Sequence, residues 1–188
     1  MLAEKKERVI LGIDPGTAIM GYGIILEKGN KMELLSLGVV KLNQFDDHFL
    51  KLQRIFEKTM GLIENYKPDA LAIEAPFYAK NVQVTLKLGR AQGICMAAAL
   101  SKNIPVTEYA PRKIKQSITG KGTATKEQVA AMLQRLLNFK ETPEYLDATD
   151  GLAVAVCHSF QKISTSGGKS KTYTGWEAFV SDNKKRVK

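Results

Sequence analysis

Residues 9–13, Val-Ile-Leu-Gly-Ile, carry no polar side chain, the pattern of a strand covered on both faces in the middle of a sheet. The run breaks at Asp14-Pro15-Gly16-Thr17 and resumes in "GYGIILEKGNKMELLSLGVVKL". That stretch predicts two more strands joined by a turn at Gly29-Asn30, residues that both tolerate positive φ. Three sequential strands make an antiparallel meander. From Asp47 to Tyr66, Leu50, Ile55, Phe56, Met60 and Ile63 recur at helical spacing with charges between them, and Lys67-Pro68-Asp69 ends the helix.

"ALAIEAP" at 70–76 is a short apolar strand that ends in Glu74, as the first strand ends in Asp14. Residues 81–102 predict a second helix rich in small side chains: Gly89, Ala91, Gly93, Ala97, Ala98 and Ala99. Such a helix either crosses the sheet closely or packs on another subunit. "IPVTEYAP" gives a fifth strand, after which Pro111 and Pro143 suit early helix positions. Thr142 is the expected N-cap of the last helix, "PEYLDATDGLAVAVCHSF". The order β-β-β-α-β-α-β-α, with further helices toward the end, predicts an α/β fold with a mixed five-stranded sheet flanked by helices.

The helix between the third and fourth strands acts as a crossover, so the first and fourth strands can lie parallel and adjacent. Asp14 and Glu74 then meet at one end of the sheet. Asp147 and Asp150, at i and i+3 of the last helix, share a face that can point to the same place. Each acid also has a plainer reading: Asp14 caps a turn, Glu74 is an exposed strand end, and the two aspartates sit near a helix N-terminus.

Composition narrows the class. The chain of 188 residues, 44% hydrophobic and 25% charged, suits one soluble domain, with no apolar run of membrane-spanning length. Its start, "MLAEKKERVI", lacks a signal-peptide core, so a cytoplasmic location is expected. Cys95 and Cys157 lack metal-ligand spacing and read as buried free thiols. The net charge of +9 favours a polyanionic partner, nucleic acid first. The stretch from Ser164 turns to Ser, Gly and Lys, with six basic residues against two acidic ones, and reads as a basic flexible tail at 164–188 behind a domain at 1–163.

Four carboxylates gathered in a basic protein repel one another unless cations hold them. Oxygen-only ligands suit Mg²⁺ or Mn²⁺, and two such ions ~3.5–4 Å apart support in-line hydrolysis of a phosphodiester. This points to a metal-dependent nuclease.

"GIDPGT…GYG", "IEAPFYAKN…LKLGRAQG", "EYAPRKIKQSITGKGTATKEQV" and "DATDGLAVAVCH" stand in one order across residues 8–160 and resemble the RuvC family of Holliday junction resolvases. The resemblance implies a ribonuclease H-like fold, a homodimer, and paired cuts in the opposed strands of a four-way DNA junction with RuvA and RuvB as partners. It places the catalytic acids on Asp14, Glu74, Asp147 and Asp150, with His in some relatives at the position of Asp147. It also sets Lys115 and Lys126 near the scissile phosphate. Phe77 would stack on a base at the junction centre, or else plug a loop. Arg112, Lys113 and Lys121 read as general contacts to the DNA backbone or as a solvated face, and His158 as a helix-end histidine. "DPGT" also resembles the phosphate loop of the actin-like ATP phosphotransferases, an alternative that calls for a second domain. A catalytically silent DNA-binding module is a further alternative.

Overall fold

The computed structural model describes residues 7–76, 81–139 and 146–165. The meander is present: β1 (Glu7–Asp14) pairs antiparallel with β2 (Ile19–Lys28), and β2 with β3 (Lys31–Lys41). At the β2–β3 turn only Gly29 adopts a left-handed backbone, with φ 64°, so Asn30 is not called on for it. β4 (Ala70–Glu74) lies parallel to β1, and β5 (Val106–Tyr109) parallel to β4, in the sheet order β3-β2-β1-β4-β5. The expected adjacency of first and fourth strands is therefore met.

One face of the sheet, carrying Leu11, Ile13, Leu71 and Ile73, is covered by α1 (His48–Tyr66) and α2 (Val82–Ser101). Asp47 caps α1 by accepting from the Leu50 amide at 2.9 Å, and Lys67 closes it in a left-handed conformation. The buried side of α1 is Ile55, Thr59, Leu62 and Ile63, whereas Leu50 and Phe56 of the predicted stripe are exposed. Helical period marks a face but not its width, and the sheet covers only the centre of this one. In α2 the small residues divide: Ala91, Ala98 and Ala99 are buried with Cys95, while a Cβ added at Gly89 or Gly93 would meet nothing. Cys95 and Cys157 are both buried and free, and burial pushes the Cys95 thiol up to about 12.

The opposite face, with Ile10, Ile25 and Ala72, packs against α3 (Pro111–Thr119), α4 (Lys126–Leu137) and α5 (Asp147–Thr165). Pro111 takes the first turn of α3, as its fixed φ suits. α4 is a separate helix that periodicity alone leaves among the further helices. Its start is written in Thr125-x-x-Gln128, a capping box in which each side chain satisfies the other's backbone amide.

Glycines let α5 lie directly on the sheet. A Cβ at Gly21 would collide with the Asp147 carbonyl, and one at Gly12 with the backbone of Gly151 and Ala155. The "GYG" pattern thus brings the first turn of α5 against the ends of β1 and β2. Among the described residues, no helix is long and apolar enough to cross a membrane. The expectations for Phe77, Thr142, Pro143 and residues 166–188 lie outside the described residues.

Candidate metal centre and catalytic cleft

Asp14 is the last residue of β1, one step beyond the Ile13–Ile73 pair of the parallel ladder, so Glu74 ends β4 beside it. Asp147 and Asp150 occupy the first turn of α5, where the unpaired backbone amides favour negative charge. One oxygen from each of Asp14, Asp147 and Asp150 lies within 4.8 Å of the others. Glu74 lines the same cavity, of about 410 Å³, but brings no oxygen into that cluster. Of the four expected acids, three form the tight cluster and Glu74 stands beside it. The cause is lateral: Glu74 stands on the neighbouring strand, one sheet spacing further out, while α5 sits over β1 and β2.

Burial is the main force on these acids. It raises Asp14 to about 7, with the Asp150 charge adding to the effect and Lys126 opposing it. It raises Glu74 to about 8, helped by Asp14 and then Asp150. Asp150 is also raised by burial, against the pull of Lys126.

Lys126 opens α4 and reaches across the cleft, its ammonium 2.5 Å from Asp150 Oδ2 and 3.4 Å from Asp147 Oδ1. Burial works against its charge, but Asp150 and Asp147 outweigh that and hold its pKa above the ordinary lysine value. The contact with Asp150 is a short charge-assisted hydrogen bond, which offsets part of the rise that burial imposes on the Asp150 carboxyl.

Hard oxygen donors that converge from three acids against a single ammonium fit a divalent cation. Asp14, Asp147 and Asp150 are the residues placed to hold it.

Lys115, on α3, also lines the cavity. Arg112 and Lys121 do not line it. Arg112 lies against Gly122, and Lys121 borders a separate groove between the α3–α4 turn and α4, with Gln128, Met132 and Arg135. Lys113 is exposed on α3. His158 is buried further along α5 and bonded through Nδ1 to the Tyr109 hydroxyl at 2.9 Å, apart from the acids.

Sequence reasoning passed over Gln92, which lines a small cavity with Asp14 and Glu74. The available signal was a polar residue at the spacing of Cys95 and Ala99 on the buried face of α2.

A family model described as "Crossover junction endodeoxyribonuclease RuvC" matches residues 10–158. A protein of that name from Christiangramia forsetii is 57% identical over 98% of this chain and 95% of its own length. Another from Bacteroides fragilis is 55% identical, with both chains fully covered. Among solved structures, "T. thermophilus RuvC in complex with Holliday junction substrate" superposes with a TM-score of 0.78 at 33% identity, covering 85% of this chain and 97% of that one.

Proposed function

The chain belongs to the RuvC family of crossover junction endodeoxyribonucleases, and on that premise we propose how its residues resolve a four-way DNA junction by hydrolysing one phosphodiester in each of two opposed strands. The observation that carries the reading is the convergence of Asp14, Asp147 and Asp150 within 4.8 Å at the C-terminal ends of parallel strands.

Asp14, Asp147 and Asp150 hold the cations, and Glu74 completes the set from the adjoining strand. Bound there, a pair of Mg²⁺ or Mn²⁺ ions supplies Lewis acidity toward the phosphoryl oxygens and a reactive water. Burial raises the Asp14 and Glu74 carboxyls, and each would hold a cation in its deprotonated form. Lys126 neutralises the acids while no cation is held, and its ammonium is then available to a phosphate oxygen at the cleft mouth. Lys115, which lines the same cavity, meets the same phosphate. Arg112 and Lys121 contact the backbones of the DNA arms, away from the reaction, and Phe77 stacks on a base at the junction centre.

Paired incision calls for two clefts related by a two-fold axis, and so for a homodimer. Exposed apolar side chains on α1 and α2 support α2 as part of its interface, among them Phe49 at 74% and Leu86 at 50% exposure. RuvA and RuvB are the proposed partners, in the cytoplasm. The family match disfavours both the phosphotransferase and the catalytically silent readings.

The test is incubation of the pure protein with a synthetic mobile four-way junction, with and without Mg²⁺, mapping the ends. Symmetric nicks in opposed strands that need the metal support the reading; metal-independent cutting or none contradicts it.

A further inference from the structure

Gln92 lies in the middle of α2 with only 7% of its surface exposed, a costly place for an amide unless its polar atoms are matched. Its Nε2 donates to the Glu74 backbone carbonyl at 3.3 Å and to Glu108 Oε2 at 2.9 Å. The first of these contacts is at the point where the β4 ladder runs out. The Ala75 amide still bonds to the Tyr109 carbonyl at 2.9 Å, but Pro76 has no amide to continue the pattern. The last peptide of β4 is therefore held on one side by β5 and on the other by Gln92. Beside it is a cavity of about 40 Å³ bounded by Asp14, Glu74, Pro76, Leu88 and Gln92.

Resting on the reading of Glu74 as an outer member of the cation site, we infer that Gln92 is a positioning residue: its amide fixes the Glu74 peptide, and through it the direction in which the Glu74 carboxylate enters the cleft. Glu74 needs such a hold more than the aspartates do. Asp147 and Asp150 are fixed by a helix seated on glycines, and Asp14 is flanked by paired strands, whereas Glu74 ends a five-residue strand outside the three-acid cluster. Glu108 accepts from Gln92 Nε2 with its side chain, whereas Glu74 accepts with its backbone carbonyl, so the two contacts can be separated by substitution.

Gln92→Met keeps the bulk of the side chain and removes the donor. Glu108→Ala removes the second acceptor and leaves the bond to Glu74 possible. Gln92→Met is expected to lower kcat on a four-way junction and raise the Mg²⁺ concentration for half-maximal cutting, each by about tenfold or more, with KM for the junction unchanged. Glu108→Ala is expected to stay within about threefold of wild type on both counts, as a residue that meets the site only through another. Gln92→Asn, which keeps the amide on a shorter stem, should behave as Gln92→Met, so the inference survives if one of the two variants does not fold. The readout independent of cutting is the rise in melting temperature that Mg²⁺ gives the DNA-free protein, which should shrink in both Gln92 variants and persist in Glu108→Ala. Wild-type behaviour of a folded Gln92 variant, or an equal defect in Glu108→Ala, overturns the inference. Failure of the wild type to cut a junction overturns the proposed function instead, and the melting comparison still decides the role of Gln92.

Discussion

The Lys126 ammonium rests 2.5 Å from Asp150 Oδ2, placing the first residue of α4 against the first turn of α5 and a positive charge among the acids. Its removal leaves the acids to repel one another and takes a cation from the cleft mouth. Lys126→Ala should therefore slow junction cleavage on the order of a hundredfold, the usual scale for losing a charge-stabilising donor. The DNA-free variant should also melt lower than wild type at pH 8, with much of the difference removed by Mg²⁺. Single-turnover cleavage and thermal melting check both parts.

The acids predict a pH dependence of definite sign. Asp14 and Glu74 have folded pKa values raised from 3.8 and 4.5 to about 7 and about 8, with burial as the leading cause. Between those limits the folded chain binds more protons than the unfolded chain, so stability falls as pH rises. Their contribution is full below the unfolded values and lost as pH climbs through the folded ones. The metal-free protein should melt progressively lower from pH 5 to pH 8.5, and the stabilisation given by Mg²⁺ should grow over the same span. Melting curves with a chelator and with Mg²⁺ measure it.

Gly21→Ala tests how α5 is seated. The added Cβ meets the Asp147 carbonyl, a backbone atom that cannot turn aside, so the helix must lift. The expected outcome is a loss of about 1–3 kcal/mol in unfolding free energy, typical of overpacking. The Mg²⁺ requirement for cutting should also rise, because Asp147 and Asp150 move with the helix. Denaturant unfolding and a metal titration read the two effects separately.

Much of this was legible in the chain because two rules act locally. An unbroken apolar run marks a buried strand, as at Ile10, Leu11 and Ile13, and an acid closing such a run is exceptional enough to flag Asp14 and Glu74. Helical spacing likewise put Asp147 and Asp150 on one face. What failed depends on neighbours that sequence does not name. Leu50 and Phe56 have the spacing of core residues but no layer over them. The offset of Glu74 follows from which strands α5 crosses, which glycines at 12, 21 and 23 decide jointly. Gln92 was hidden because its partners, a strand-end carbonyl and Glu108, are 18 and 16 residues away on different strands.

Phe77 follows Glu74 by three residues in the sequence. If its ring stacks on a base exposed at the crossover, Phe77→Ala loses a contact made only when the junction is distorted for cutting. The rate should fall more than affinity. Cleavage of a fully paired junction should drop about tenfold or more, and partly recover on a junction with unpaired bases at its centre, where the unstacking cost is already met. Equal defects on both substrates contradict the stacking role.

The central claim is that the acids act on the chemistry and the basic residues on affinity. Its most direct measurement compares wild type with Asp14→Asn, which changes one oxygen of the three-acid cluster and keeps the side-chain shape. Binding to a four-way junction is followed by gel shift in Ca²⁺, and cutting is followed in Mg²⁺. The account predicts binding within about threefold of wild type, since affinity rests on phosphate contacts, and cleavage reduced by about a thousandfold or more. Near-normal cutting by Asp14→Asn, or loss of binding in step with cutting, would contradict it.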